Sequence, residues 1–512
     1  MKQQAILILD FGSQYNQLIA RRIREMDVYA EVIPYHSSLD EILSRKPKGI
    51  LLSGSPFSVH EDDVHLISKE LFELDIPVLG ICYGMQLISH IFGGLVTKGK
   101  HGEYGQTDFI VDDPYDRMLH GMPEKSTVWM SHFDEVNKEP EGFKIIGHTS
   151  HCAAALSCED RNIYAVQFHP EVSHTTYGTT ILYNFVFEIC RCEKKWELGD
   201  FIKATVQEIR TIVGDKKVIL GLSGGVDSSV AAVLIHKAIG NALTCIFVDT
   251  GLLRKDESQK VMDTYGAYYH MNIRLIKAKK SFLYRLKGIS DPEKKRKLIG
   301  QEFITVFKEE AVKIHEAAFL AQGTIYPDVI ESTSVKGPSV TIKSHHNVGG
   351  LPEQMHLKLL EPLRELFKDE VRKVGINLGI PKEIVYRHPF PGPGLGVRII
   401  GKITEKKVAI LQAADAIFIE ELQAHQLYDQ VSQAFVILLP VKSVGVMGDV
   451  RTYEYTAVLR SVNTTDFMTV TWSHLPYDFL EKVSSRIINE VKGINRVTYD
   501  ISSKPPATIE WE

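Results

Sequence analysis

Short apolar runs that end in glycine-rich turns and lead into helix-like segments recur along this chain. The runs AILILDFGS, GILLSGSP (residues 49–56) and PVLGICYG (77–84) have this form, and so does VILGLSGG, which begins at Val218. A continuous apolar strand followed by a tight turn and a helix is typical of a buried parallel sheet in an α/β domain. The sequence therefore predicts parallel sheets wound with helices, with functional residues beyond the carboxyl ends of the strands.

The chain has 512 residues, too many for a single core, and its patterns change twice along its length. We expect one α/β domain at 1–195 and a second at 196–386, which a charged, helix-like passage (190–217) introduces. The Pro- and Gly-rich segment RHPFPGPGLG then reads as a rigid connector. Beyond it, a helical pattern and three strand-like runs (AFVILLPV, YEYTAVLRSV and RVTYDIS) predict an α+β domain at 387–512. The predicted fold is thus two doubly wound parallel-sheet domains followed by a small α+β dimerisation domain.

Composition narrows the possible partners. The net charge of −5 gives no overall attraction to nucleic acid or to an anionic membrane. The N-terminal apolar run, Ala5 to Leu9, is too short for a signal peptide, and no run approaches a membrane span of about 18 residues. We therefore expect a cytoplasmic protein with neither nucleic acid nor membrane as partner. Its six cysteines read as reduced thiols, and Cys190-x-Cys192 has no second pair nearby to complete a zinc set.

A possible nucleophile lies in the motif Gly80-Ile81-Cys82-Tyr83-Gly84, where a buried strand turns into a helix. The flanking glycines let the backbone bend sharply enough to present the cysteine, and the helix N-terminus favours its thiolate. By itself, the motif fits a buried structural cysteine equally well. A second motif, Gln167-Phe168-His169-Pro170-Glu171, decides between the two readings, because His169 can act as the base and Glu171 can orient it. The backbone of Gly54 and the amide of Tyr83 are the expected oxyanion donors.

The motifs GICYGMQ and HPEV resemble those of the class I (triad) glutamine amidotransferases, and the likeness covers roughly residues 4–190. It implies that Cys82, His169 and Glu171 form a triad that releases ammonia from glutamine. Two motifs depart from the family pattern. Gly54-Ser55-Pro56 stands where the family has Gly-Gly-Pro, and Ser131-His132-Phe133-Asp134 where it has Ser-His-Gly-Asp. The first departure concerns the oxyanion turn and the second a wall of the glutamine pocket, and neither removes a reacting group.

A predicted nucleotide loop follows the strand-like run VILGL and opens a helix. Backbone N–H groups and serine hydroxyls at a helix N-terminus form a cradle for anions. The expected ATP-binding residues of this loop are Ser223, Gly224, Gly225, Val226, Asp227, Ser228 and Ser229. Val248, near the end of the next strand-like run, is expected to border the nucleotide, and Asp227 to bind Mg²⁺.

The pattern SGGVDSS is not a GxxxxGK[ST] loop, because it has no lysine to reach the β and γ phosphates. It resembles the loop of the ATP pyrophosphatases. This resemblance implies ATP and Mg²⁺ as cofactors, transfer of AMP to an oxygen of the acceptor, and pyrophosphate as the leaving group.

Along essentially its whole length, the chain resembles the bacterial-type GMP synthetase family. The matching stretches are DFGSQY, SGGVDSS, QGTIYPDVIES, IKSHHNVGGLP, LFKDEVRKVG, RHPFPGPGLG, GDVRTYEY and SKPPATIEWE. The resemblance implies an enzyme that hydrolyses glutamine, adenylylates xanthosine monophosphate (XMP) and lets ammonia displace AMP to give GMP. It assigns XMP binding to Arg296, Gln433, Asp449, Arg451, Lys504, Ile509 and Glu510.

Three further expectations follow. Residues 342–352 (IKSHHNVGGLP) suit a lid over ATP, with Lys343 reaching the phosphates. The C-terminal domain is expected to form a homodimer, because its strand-like runs have few helices to cover them. The tail from Lys504 to Glu512 is expected to fold into the acceptor site, with Trp511 packed against the domain.

Two alternatives stay open from the sequence alone. The same two sites could serve another acceptor, such as a deamido-dinucleotide or a tRNA base, although the acidic charge and the lack of an arginine-rich or stacking-aromatic run argue against the tRNA base. The chain could also be a pseudoenzyme that acts as a regulatory binding module. That reading requires a broken motif, whereas Cys82, His169, Glu171 and Asp227 are all present.

Overall fold

A computed structural model describes residues 5–13, 15–60, 67–196, 198–333, 357–447, 449–464 and 469–512. The lid at 342–352 and Lys343 lie outside these described residues. Contacts divide the chain into two units. The first runs to Leu198 and includes the helix Tyr326–Thr333, and the second holds the remaining described residues from Gly199 onward.

The first unit is built on a nine-stranded sheet with the order β2-β1-β3-β4-β9-β8-β7-β5-β6. Its strands are β1 (Ala5–Asp10), β2 (Tyr29–Pro34), β3 (Pro47–Leu52), β4 (Val78–Ile81), β5 (Leu95–Val111), β6 (Lys125–Lys138), β7 (Lys144–His148), β8 (Ala153–Cys158) and β9 (Ile163–Val166). The strands from β2 to β9 in this order pair in parallel, as the apolar runs predict. The strands beyond β9 pair antiparallel. In β6, buried and exposed residues alternate, which is the pattern of a sheet with one solvated face.

Helices of the first unit follow the strands as expected for an α/β domain. They are α1 (Asn16–Arg24), α2 (Leu39–Ser44), α3 (Tyr83–Ile91), α4 (Gly178–Tyr183), which continues as a π-helix (Asn184–Ile189), and the helix Tyr326–Thr333. Short 3₁₀ segments lie at Lys69–Glu73 and Glu159–Arg161. The core lies around β1, β3 and β4, whose apolar side chains are almost fully buried.

The second unit contains a parallel sheet with the order β12-β11-β10-β13-β14. Its strands are β10 (Lys217–Gly221), β11 (Leu243–Asp249), β12 (Asn272–Lys277), β13 (Ala317–Ala321) and β14 (Lys358–Leu360). The helices are α5 (Leu198–Val213), α6 (Val226–Ile239), α7 (Glu257–Val261) with a π-helix (Met262–Tyr268), α8 (Lys279–Arg285), α9 (Pro292–Ala311), α11 (Lys368–Asn377) and α12 (Lys382–Val385). The label α10 belongs to the helix Tyr326–Thr333 of the first unit. The strand order reverses at β10, and such a reversal opens a crevice for ligands beyond the carboxyl end of that strand.

A second, mostly antiparallel sheet completes this unit. It consists of β15 (Gln433–Met447), β16 (Val450–Asn463), β17 (Thr471–Trp472) and β18 (Ile494–Tyr499), accompanied by α13 (Glu405–Ala424) and α14 (Tyr477–Glu490). The three strand-like runs and the helix predicted here are thereby confirmed. One hydrophobic cluster includes Ile246 of the parallel sheet, Leu411 of α13 and Leu459 of β16, so the two sheets share a core. Within the described ranges, no helix combines the length and the apolar character needed to cross a membrane.

Candidate active sites

The nucleophile candidate Cys82 occupies a strained turn between β4 and α3. Its backbone has φ 54° and ψ −106°, an unusual conformation for a residue with a side chain. The turn is tight enough that a Cβ on Gly84 would lie 2.4 Å from the carbonyl oxygen of Leu52, and one on Gly80 would lie 2.6 Å from the backbone of Gly84. The motif therefore requires both glycines for close packing, whereas the bend that the sequence analysis attributed to them falls on Cys82 itself.

His169 and Glu171 follow β9 and form a buried pair beside Cys82. The Nδ1 atom of His169 lies 2.8 Å from Oε1 of Glu171. Burial opposes protonation of the imidazole. The charges on Glu171 and Cys82 and hydrogen bonds to both nevertheless raise the pKa of His169 well above its ordinary value of 6.5. A histidine held between a carboxylate and a thiol is the arrangement that activates a nucleophilic cysteine.

Backbone contacts fix this histidine. The His169 N–H donates to the carbonyl of Trp129 at 3.0 Å, and the hydroxyl of Thr175 donates to the His169 carbonyl at 2.6 Å. Gly54 lies directly against the pair, since a Cβ built there would be 3.4 Å from Cε1 of His169 and 3.7 Å from Cβ of Cys82. Tyr83 is the first residue of α3. The structure thus brings together Cys82, His169, Glu171, Gly54 and Tyr83, the five residues predicted for glutamine hydrolysis.

The predicted nucleotide loop connects β10 to α6 at the reversal point of the parallel sheet. The Ser228 hydroxyl donates to the Gly225 carbonyl at 3.0 Å and lies 2.8 Å from the Ser223 hydroxyl, which accepts the Gly225 N–H at 3.3 Å. Gly224 has φ +75°, which favours glycine. Val226, Asp227, Ser228 and Ser229 form the first turn of α6. Val248 lies buried near the end of the neighbouring strand β11.

Two cationic side chains contact this loop, and the sequence motif predicted neither of them. Nζ of Lys368, the first residue of α11, lies 2.5 Å from Oδ2 of Asp227. Nη1 of Arg387 donates to the Gly224 carbonyl at 3.2 Å. Among the described residues, Oδ1 of Asp227 is buried and has no hydrogen-bond partner. The loop itself has no lysine, and the fold supplies one from a distant part of the chain.

Five of the residues predicted to bind XMP lie near the C-terminal tail. Nε2 of Gln433 donates to Oε1 of Glu510 at 3.0 Å, and Ile509 packs on the small cluster of Phe435, Ile437 and Val458. Arg296 donates to the backbone carbonyl of Glu512. Lys504 exchanges two backbone hydrogen bonds with Val470. The tail is therefore folded onto the unit, as predicted.

Trp511 of this tail lies at the surface of the unit. It is 43% exposed, so more than half of its area is covered. Its ring nitrogen donates to Oδ2 of Asp500 at 2.9 Å, which satisfies the polar end of the indole.

The remaining two predicted XMP residues lie elsewhere. Asp449, with φ 62°, is in the turn between β15 and β16, and Arg451 lies opposite Val446 near the start of β16. Gln433 is at the other end of the hairpin, opposite Val462. Twelve to fourteen residues of extended strand separate the ends by roughly 40 Å along the strands. One copy of the chain therefore does not bring Asp449 and Arg451 to Gln433 and Glu510.

Three protein families match successive parts of the sequence. Residues 7–189 match the glutamine amidotransferase class-I family, residues 196–273 match the NAD synthase family, and residues 420–511 match the GMP synthase C-terminal domain. The first match contains Cys82, His169 and Glu171. The second contains the SGGVDSS loop, and the third contains the hairpin and the tail.

Relatives match the whole chain. A protein of Fusobacterium nucleatum named GMP synthase [glutamine-hydrolyzing] is 65% identical over 100% of both chains. Proteins of the same name from Spiroplasma kunkelii and Borreliella burgdorferi are 60% identical over 99% and 58% identical over 100% of both chains. With such identity over its full length, the chain belongs to the glutamine-hydrolysing GMP synthase family.

Proposed function

We propose that the chain makes GMP from XMP in two stages that use separate sets of its residues. Cys82, His169 and Glu171 release ammonia from glutamine. The loop from Ser223 to Ser229 binds ATP, and AMP is transferred to XMP with pyrophosphate as the leaving group. Ammonia then displaces AMP to give GMP. The observation that carries the first stage is the placement of the His169 imidazole between Glu171 and Cys82 at the head of a helix.

In the glutamine stage, the Cys82 thiolate attacks the side-chain amide carbon. The raised pKa of His169 makes its imidazole a good acceptor for the thiol proton, so the attack leaves an imidazolium beside the substrate. The imidazolium then gives its proton to the departing ammonia, and Glu171 keeps the ring oriented. The backbone at Gly54 and the amide of Tyr83 stabilise the oxyanion. Water releases glutamate from the resulting thioester.

In the ATP stage, Asp227 is the proposed ligand for Mg²⁺. Its buried Oδ1, which has no partner among the described residues, fits an oxygen ligand of this ion. When bound, Mg²⁺ supplies charge stabilisation to the phosphates. Lys368, whose ammonium contacts the other carboxylate oxygen, supplies the cation that the loop lacks. Val248 lines the nucleotide, and Lys343 contributes from outside the described residues.

The acceptor stage is proposed to need two copies of the chain. Five of the proposed XMP residues lie near the tail, namely Gln433, Lys504, Ile509, Glu510 and Arg296. The other two, Asp449 and Arg451, lie at the far tip of the hairpin. That hairpin exposes apolar side chains along its outer half, namely Val441, Val444, Val446, Val450 and Tyr453. Exposed apolar side chains grouped in this way favour a partner surface. A homodimer through the C-terminal region would cover them and bring each tip to its partner. The proposed location is the cytoplasm.

A variant that separates the two stages tests the proposal. Cys82→Ala is expected to lower glutamine-driven GMP synthesis by at least about a thousandfold. Synthesis from ammonium salt should stay within about twofold of the wild type, because the thiol acts only in releasing ammonia. Cys158→Ala, at a buried cysteine at the end of β8, serves as the matched control and should preserve both activities. Loss of the ammonium-driven reaction in Cys82→Ala would contradict the two-stage division, and offering other acceptors beside XMP tests the choice of acceptor.

A further inference from the structure

A second set of buried polar side chains in the first unit plays no part in the proposed mechanism. Glu103 of β5 and His132 of β6 lie opposite each other across the two strands. Cys152 follows β7 in a tight turn, where its N–H donates to the hydroxyl of Thr149 at 3.2 Å. One ligand atom from each of Glu103, His132 and Cys152 lies within 4.8 Å of the other two.

The hydrogen bond of the His132 ring fixes the position of its proton. Nδ1 lies 2.9 Å from the carbonyl oxygen of Asp134, which can only accept, so Nδ1 carries the hydrogen. In the neutral ring, Nε2 then carries the lone pair. Metal-binding histidines are oriented in this way, with one nitrogen donating to a carbonyl and the other facing the ion.

The Nε2 atom of His132 faces the carboxylate of Glu103, so a neutral ring would turn its lone pair towards negative charge. Nε2 lies 3.2 Å from Oε2 of Glu103. Among the described residues, that Nε2 atom and Oε1 of Glu103 are both buried without a hydrogen-bond partner. The two residues are only 7% and 6% exposed, so solvent does little to compensate. A cation between the two groups would remove the repulsion.

Cys152 completes a ligand set suited to zinc. Its Sγ lies 3.1 Å from Oε2 of Glu103. Neighbouring ligands of a tetrahedral zinc ion are about 3.4–3.6 Å apart, so the two separations found here would have to widen by at most about half an ångström around the ion. The Cys152 thiol donates to Oε2 of Glu103, so a dication that takes the place of this proton would release it to solvent and leave a neutral site of one dication, one carboxylate and one thiolate.

We propose that Glu103, His132 and Cys152 supply three ligands of a binding site for zinc or a chemically similar divalent transition metal, whose fourth position is left to water. The ligand types, a thiolate, an imidazole and a carboxylate, are those that zinc accepts and that magnesium does not favour. The site would hold β6 in place beside the nucleophile, because the carbonyl of Ser131, the neighbour of His132, lies 3.8 Å from Sγ of Cys82.

Zinc titration of the full-length enzyme by equilibrium dialysis tests the proposal. A Cys82→Ala background removes the cysteine beside His169, and excess Mg²⁺ is added to occupy the proposed site at Asp227. We expect one zinc ion per chain. Replacing a ligand, in Cys152→Ser or His132→Gln, should weaken binding by at least about tenfold. Cys158→Ser, at a buried cysteine outside the cluster, should leave zinc binding unchanged.

Cobalt substitution supplies a spectroscopic readout. Cobalt bound to Cys152 should give a thiolate-to-cobalt charge-transfer band, which Cys152→Ser should abolish and Cys158→Ser should retain. Absence of stoichiometric zinc, or a band that survives in Cys152→Ser, would overturn the proposal and assign a protonated His132 to the site. Should Cys152→Ser fail to fold, Glu103→Gln keeps the side-chain size and must weaken zinc binding in the same way.

Discussion

Arg398 holds Glu510 through two parallel hydrogen bonds. Nε donates to Oε2 at 3.0 Å, and Nη2 donates to Oε1 at 2.8 Å. The arginine side chain is fully buried, and its guanidinium lies 4.0 Å from the centre of the Phe435 ring. A bidentate pair fixes the plane of the carboxylate as well as its position. Because Glu510 is a proposed XMP contact, Arg398 is a positioning residue for the acceptor site.

Glu510→Gln is expected to destabilise the second unit and to weaken XMP binding. The substitution leaves the buried Arg398 guanidinium without its counter-charge, a change that costs roughly 3–5 kcal/mol in buried pairs. Denaturant unfolding measures this loss, and XMP saturation of ammonium-driven synthesis measures the effect on the site. Glu490→Gln, which alters the exposed pair of Arg486 and Glu490, is the matched control and should change neither. Equal effects of the two variants would contradict the positioning role.

Asp227→Asn is expected to abolish synthesis from both glutamine and ammonium salt, by at least about a hundredfold. The carboxylate is needed at the phosphates however the ammonia arrives, while glutamine hydrolysis uses other residues. Product analysis of the wild type should find AMP and pyrophosphate. Asp215→Asn, at an exposed residue before β10, serves as the control. Ammonium-driven activity that survives in Asp227→Asn, or ADP and phosphate as products, would refute the assignment.

The triad and the ATP loop could be predicted because each of their parts lies in a short local motif: Cys82 between two glycines, His169 beside Glu171, and the loop in SGGVDSS. His169 and Glu171 are separated by one residue, and the loop is a continuous run, so local patterns contain most of the chemistry. Lys368 could not be assigned in this way. It lies far along the chain from Asp227, and only the packing of α11 beside α6 brings the two together. The set of Glu103, His132 and Cys152 was missed for the same reason, since its members come from three different elements.

The predicted acceptor site shows that a family resemblance can assign residues to one ligand without showing how far apart they lie. The resemblance assigned Asp449 and Gln433 to one ligand, yet these residues lie at opposite ends of the same hairpin. Sequence reasoning gives no distance between residues that one long strand separates.

The antiparallel half of the first sheet could not be predicted from the sequence either. Its long strand β6 alternates between buried and exposed residues, so it forms no continuous apolar run of the kind that marked the parallel strands.

Acid should destabilise the second unit through His388. Its Nε2 lies 2.9 Å from the Tyr428 carbonyl and its Nδ1 accepts the Ala434 N–H at 3.3 Å, so the ring is held neutral. Burial lowers the pKa of His388 to about 4 from 6.5. Between these values the unfolded chain binds a proton that the folded chain does not. The effect of His388 on the free energy of unfolding is therefore absent above pH 6.5. As the pH falls towards 4, the free energy of unfolding decreases by about 3 kcal/mol.

Unfolding measured across this pH range checks the expectation. His388→Gln, which can still donate and accept hydrogen bonds, should show a flatter pH dependence than the wild type in this window. His425→Gln, at a partly exposed histidine of the same unit, controls for the loss of any titrating ring. An unchanged slope in His388→Gln would mean that other groups set the acid stability.

The apolar side chains exposed on the hairpin of β15 and β16 support a prediction about assembly. We expect the wild type to sediment as a dimer at micromolar concentration, and Val446→Asp to sediment as a monomer. Val446 is 70% exposed in the single chain, and burying a carboxylate in an apolar interface is costly. In the proposed shared site, Asp449 and Arg451 reach the acceptor of a partner, so the monomer should also require a much higher XMP concentration while hydrolysing glutamine normally. Val312→Asp, at a valine that is 61% exposed beyond α9, is the matched control and should remain dimeric. A monomeric wild type, or a monomeric Val446→Asp with normal XMP saturation, would refute the shared site.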